Sequence, residues 1–274
     1  MTSGKLSRKS FFFLQLGLLA AAALVLLGIF ISSFIPPSIV LGRGLVVFAA
    51  EHQGAATQPQ IISVVIQNKA FGAHRDLLWK ARPQDDWLVV KPASGKGAET
   101  IEIRPRYLRL PPGTHETKLT VTCQGARNSP QEIHVIVNVL DRGASAPPFG
   151  WVDYPEERQS VWGNFLDMWG WALDDIEVKE VRIKRSPFRD EAAKPLGPDG
   201  LIPVGTATFF KGIRPDVAKI HADYPLNDRA GWRFRFPLRG YFEEGRESII
   251  IHVFLEDKEG HSIALAARTV RLAR

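Results

Sequence analysis

The sequence predicts an all-β chain in which two β-sandwiches stand behind one N-terminal transmembrane helix. Three observations carry this. A single long apolar run fills residues 11–35, and nothing comparable recurs. Beyond it, short runs with period-two alternation follow one another. The 23 Gly and 19 Pro of the 274 residues sit mostly between those runs, as turn residues do.

Residues 1–10 form a basic segment with Lys5, Arg8 and Lys9. In the run that follows, Gln15 is the one strongly polar residue before Ser32 and Ser33. As a helix, 11–35 reaches about 37 Å, against a hydrocarbon core of about 30 Å. A cleaved signal peptide shares the basic start, but its apolar region spans only about 7–15 residues. Ala49 and Ala50 stand too far downstream for its cleavage site, and Ser32 and Ser33 fit it weakly. Length therefore favours an uncleaved anchor in the cytoplasmic membrane. No Cys near the start offers a lipid attachment. Basic residues precede the run, and only Arg43 follows it closely. That asymmetry places the amino terminus inside and residues from about 44 onward outside, in the periplasm or at the cell surface.

The hydrophobic fraction of 45% and charged fraction of 23% are those of globular protein. A net charge of +6 admits anionic partners. Nucleic acid is not among them, because no recognition helix, zinc finger or RNA-binding strand signature is present. Cys123 is the one cysteine, so each domain relies on its core. It alternates with Leu119 and Val121 on one strand face and reads as a small buried side chain.

The first outer domain covers 44–141. Strands are expected at 45–49, 61–67, 77–81, 87–91, 100–104, 115–124 and 132–140. In the last, Ile133, Val135, Val137 and Val139 share a face. Pro92-Ala-Ser-Gly95 and Pro111-Pro-Gly113 make turns. About seven short strands in roughly 100 residues define an immunoglobulin-like sandwich. Trp79 and Trp87 belong to its interior rather than to a sugar platform.

Leu78-Trp-Lys-Ala81 followed by Trp87-Leu-Val-Val-Lys-Pro-Ala-Ser-Gly95 resembles the core signature of BACON-type immunoglobulin-like domains. The Leu110-Pro-Pro-Gly-Thr-His-Glu116 turn and Asn128-Ser-Pro130 also fit that group. The resemblance implies a bacterial envelope or secreted setting, and carbohydrate binding has been proposed for the family.

Residues 142–148 form a small, polar linker ending in Pro147-Pro148. Five of the seven Trp lie beyond it, in a second sandwich at 149–274. Strands are expected at 178–184, 202–210, 230–236, 248–256 and 264–272, with a loop insertion at 189–203. Trp232, Phe234 and Phe236 face one way, and Arg233 and Arg235 the other. Gly170-Trp-Ala-Leu-Asp174, the Arg214-Pro-Asp-Val-Ala218 turn, Tyr224-Pro225 and Ala230-Gly-Trp232 occur in the order of an immunoglobulin-like module of bacterial envelope proteins. That second resemblance, also seen at the ends of some membrane glycosyltransferase chains, implies a fold and no activity.

Catalytic motifs are missing. There is no Gly-x-Ser-x-Gly elbow, phosphate-cradling loop or His-Glu-x-x-His. The seven His are scattered without metal-ligand spacing, so no catalytic residue, metal ligand or cofactor is assigned. Asp174 and Asp175 offer half of a carboxylate pair with Glu156 or Asp216, a coincidence any sandwich can supply.

The binding candidates are Trp151, Trp169 and Trp171, with Arg214 and Asp216. Trp169 and Trp171 share strand parity. If Leu166, Met168 and Ala172 pack the core, these two form a platform; if not, they are core. Arg214 and Asp216 read first as a structural turn pair, since one turn Asp supplies too few oxygens for calcium.

The reading is a non-catalytic, membrane-anchored envelope protein that binds or scaffolds, through glycan contact or adhesion. The rival is an accessory part of a membrane glycosyltransferase or polysaccharide export system. The partners expected are the cytoplasmic membrane through 11–35, and an envelope glycan or a membrane protein.

Overall fold

The structure is a computed structural model that describes residues 17–27, 36–67, 77–191, 198–241 and 246–273. Helix α1 covers 17–27. Among the described residues no helix is long and apolar enough to cross a membrane. The rest of the run 11–35, and the basic residues before it, lie outside the described residues.

Two β-sandwiches make up the body. In the first, one sheet runs β1 (Ser38–Leu41), β3 (Gln60–Gln67), β7 (Ala98–Pro105), β5 (Leu88–Lys91). The other runs β2 (Leu45–Glu51), β9 (Gln131–Leu140), β8 (Gly113–Cys123), β4 (Leu78–Pro83), β6 (Ser94–Lys96). Every pairing is antiparallel except β2 with β9. The inward set is the alternating one: Ile62, Val64 and Ile66 from β3 meet Val135 and Val137 from β9. Trp79 and Cys123 lie in the same core, and Trp87 packs partly buried against it.

Strand β1 lies ahead of residue 44, where the sequence places no strand. It follows Pro37 directly, and four residues are too few to display a period.

The second sandwich repeats the plan. One sheet runs β10 (Phe149–Tyr154), β12 (Phe165–Leu173), β16 (Gly231–Pro237), β15 (Thr208–Phe209). The other runs β11 (Ser160–Val161), β18 (Ser262–Leu272), β17 (Ser248–Asp257), β13 (Val178–Arg185), β14 (Ile202–Thr206). Trp232, Phe236, Ile251, Val253 and Val181 fill the space between the sheets.

Two expectations are corrected here. The strand expected at 202–210 is two strands in opposite sheets: β14 pairs with β13 and β15 with β16, and buried Ala207 lies between them. Period-two alternation continues through such a crossover and cannot reveal it. The Arg214–Ala218 turn opens a short helix, α2 (Pro215–Ile220). Pro at its first position and Asp216 in its first turn both favour a helical start.

Polar contacts join the sandwiches. Thr57 Oγ1 donates to the Ile176 carbonyl at 3.0 Å, and Gln58 N–H donates to Glu177 Oε2 at 2.8 Å. Arg43 donates to Asn227 Oδ1 at 2.6 Å and pairs with Asp228 at 3.1 Å. Lys211 Nζ reaches the Ile61 carbonyl at 3.2 Å. In the linker, Ala146 N–H donates to Asp175 Oδ2 at 2.7 Å. The second sandwich meets the first through the loop 174–177 and the segment around Asn227.

Candidate functional site: an aromatic sheet face

Strand β12 decides the site. Its residues alternate without interruption from Phe165 to Trp169. Leu166, Met168 and Ala172 are buried in the core, which meets the condition for an outward platform. Phe165, Asp167, Trp169 and Trp171 therefore face outward.

Trp169 is 42% exposed, Trp151 58% and Trp162 73%. The Trp169 ring stacks on Tyr154 at 4.5 Å between centroids and 11° between planes. Register places the two opposite each other across β10 and β12. Trp169 and Asp167 line two hollows. One is completed by Thr208, Phe210, Arg233 and Arg235. The other is completed by Tyr154, Trp162 and Phe165.

The polar fringe is preorganised. Arg235 donates to both oxygens of Asp167, at 2.7 and 3.3 Å. That bond holds the Asp167 carboxyl below the usual carboxylate range. The Arg235 guanidinium also lies 5.7 Å from the Phe165 ring centre, and Arg268 lies 5.9 Å from that of Trp151. Flat rings beside fixed donors and acceptors can stack a ligand's apolar face while bonding its hydroxyls.

Trp171 is placed differently. It shares the outer face, opposite Trp151. Yet it is half-buried, edge-on to Phe149 at 5.8 Å and against His221 at 5.6 Å. The loop carrying Tyr224 and helix α2 close around it, with Leu173, Val217 and Ala230 beneath. Trp169 and Trp171 therefore do not form one open surface.

Arg214 and Asp216 form a clamp. Arg214 Nε donates to Asp216 Oδ1 at 3.0 Å and Nη2 to Oδ2 at 2.7 Å. Its Nη1 donates to Asp153 Oδ2 at 2.5 Å, which ties α2 to strand β10. The guanidinium lowers the Asp216 carboxyl to about 2. The partly buried Asp153 is raised by its own burial, which outweighs the same cation.

The structure also gathers carboxylates that sequence spacing left apart. One oxygen each from Asp174, Asp257 and Glu259 lies within 4.8 Å of the others, and Asp175 adjoins them. The pairing considered for Asp174 in sequence, with Glu156 or Asp216, is not the one that forms. The missed signal was the Asp257-Lys-Glu259 pattern in a hairpin, whose neighbour across the fold no spacing rule identifies. Tyr154 and Asp167 were missed as well. For Asp167 a signal existed, in its parity with Trp169.

Fold and site define a tandem β-sandwich chain with an aromatic outer sheet face. No family model matches the chain, and no curated protein matches it. Solved structures give low-similarity matches. The Clostridium thermocellum CbhA fibronectin(III)-like modules are 13% identical, with 85% of this chain and 92% of that one covered, at a TM-score of 0.26. The periplasmic chaperone SfaE is 12% identical, covering 86% and 99%, at 0.29. A Bacteroides ovatus GH5 xyloglucanase in complex with a heptasaccharide is 13% identical at 0.31 over 47% of this chain, which spans 27% of that one. At such TM-scores these matches say nothing of function.

Proposed function

We propose that this chain is a non-catalytic envelope protein, held to the cytoplasmic membrane by residues 11–35, that binds a glycan on the outer face of its second sandwich. One observation carries the reading. The exposed Trp169 ring, stacked on the half-buried Tyr154, lines two hollows edged by the Asp167–Arg235 pair. Exposed aromatics of this size are costly to leave in water without a partner. Their flat faces and the charged fringe match a sugar's apolar face and its hydroxyls. The two family resemblances point to the same envelope setting.

A glycan array and a membrane pull-down with the full chain in detergent test this. Saturable glycan binding is expected, and Trp169→Ala should weaken it at least about ten-fold, or about 1.4 kcal/mol. The variant's melting temperature should stay near wild type, because the ring is outside the core. No glycan signal, with a single membrane protein recovered, would select the accessory role in a glycosyltransferase or export system instead.

A further inference from the structure

The aromatic face uses none of the acidic residues at the opposite end of β12. There the chain leaves the strand through Asp174, which is 2% exposed, while Asp257 at the end of β17 is 0% exposed. Asp174 Oδ2 accepts N–H bonds from Ile176 and Glu177, both at 2.8 Å. Asp257 Oδ1 accepts from Gly260 and His261 at 2.7 Å, and His261 Nδ1 lies 2.6 Å from Oδ2. These bonds fix the two carboxylates in place.

Among the described residues, three oxygens have no side-chain or backbone partner: Asp174 Oδ1 and both oxygens of Glu259, all shut off from solvent. Asp175 Oδ1 is in the same condition. A buried acceptor without a partner costs about 1–3 kcal/mol, and more when it is charged. The nearby cations do not cover the deficit. His261 is bonded to Asp257, Lys258 Nζ turns to Glu177 at 2.7 Å, and Arg229 lines the hollow next to Asp174 without bonding to it.

We propose that Asp174, Asp257 and Glu259 hold a calcium ion at the joint between the two sandwiches. The donors are all hard oxygens, the ligand type of calcium and magnesium. One oxygen from each lies within 4.8 Å of the others, close enough to share one cation. Magnesium usually keeps several waters and takes only one or two carboxylates, whereas calcium accepts about six to eight oxygens in a flexible shell, so a trio of carboxylates suits calcium. The ion would also brace the joint, because the turn that Asp174 caps presents the Ile176 carbonyl and the Glu177 carboxylate to Thr57 and Gln58.

The test is thermal melting of the full chain in detergent, in EDTA and then in excess calcium or magnesium, with titration calorimetry for stoichiometry. One calcium per chain is expected. At a hundred times its Kd, calcium should raise the melting temperature by about 5–10 °C, and magnesium clearly less. Glu259→Gln should lose most of the shift and Asp174→Asn all of it. In EDTA, Glu259→Gln should melt at or above wild type, since it removes a crowded charge, and this shows that it folds. An equal calcium shift in wild type and Glu259→Gln, or no shift in wild type at millimolar calcium, overturns the site. In the second case the cluster holds protons instead.

Discussion

Gly170 separates Trp169 from Trp171, and replacing it with Ala tests how the aromatic face is built. A Cβ at Gly170 would stand 2.1 Å from the Trp151 carbonyl oxygen and 2.6 Å from the Trp232 ring. Trp232 is 0% exposed and cannot swing aside. The carbonyl belongs to strand β10, so relief requires β10 to separate from β12. Overpacking a core costs about 1–3 kcal/mol, and striking backbone rather than a flexible side chain puts the cost at the top of that range or above it. At about 2–4 °C per kcal/mol for a chain of this size, the melting temperature should fall by about 6–12 °C. Because β10 carries Tyr154 and Trp151, intrinsic tryptophan fluorescence should change along with it. Gly150→Ala is an independent check, since its Cβ would stand 2.2 Å from the Trp171 carbonyl oxygen. A Gly170→Ala chain that melts within 1 °C of wild type with unchanged fluorescence would refute the packing described for β10, β12 and Trp232.

Three further outcomes are expected. Glu191→Ala strands the buried Arg185, which it meets at 2.5 and 2.8 Å, and should cost about 3–5 kcal/mol in urea unfolding, while Arg185→Met with Glu191→Leu should regain most of it. Thr57→Val removes the hydroxyl that bonds Ala49 and Ile176; it should cost about 1–3 kcal/mol and speed proteolysis of the 142–148 linker. Asp216 is depressed from 3.8 to about 2, so its pairing with Arg214 stabilises fully above about pH 4 and is lost as pH falls toward 2. The melting-temperature gap between wild type and Asp216→Asn should therefore be full at pH 5, shrink steadily as pH falls from about 4, and close only below about pH 2.

Much of the fold was legible because the solvent imposes it. Any strand with one face in a core must alternate, so β3, β9 and β17 were readable from their side chains. The inward set of β16 was readable in the same way, from Trp232 and Phe236 against Arg233 and Arg235. Strands β1, β6 and β10 were not, being short or without a clean period. The split of 202–210 was hidden because alternation does not record which sheet a strand joins. Residues 189–203 read only as a loop insertion, yet Glu191 within it anchors to Arg185 in a buried pair. Arg43, read as a lone charge near the membrane, spans the joint to Asn227 and Asp228.

Local periodicity and composition carried the all-β class, the shared parity of Trp169 and Trp171, and the expected burial of Trp79 and Cys123. That both face outward, and which of them stays open, was set by long-range packing. Trp169 stacks on Tyr154 in the clear, while Trp171, two residues on, is closed over by a segment about 50 residues away in sequence. The tertiary structure also brought Asp174 against Asp257 and Glu259. Such meetings depend on which strands become neighbours, a property of long-range packing that no local spacing encodes.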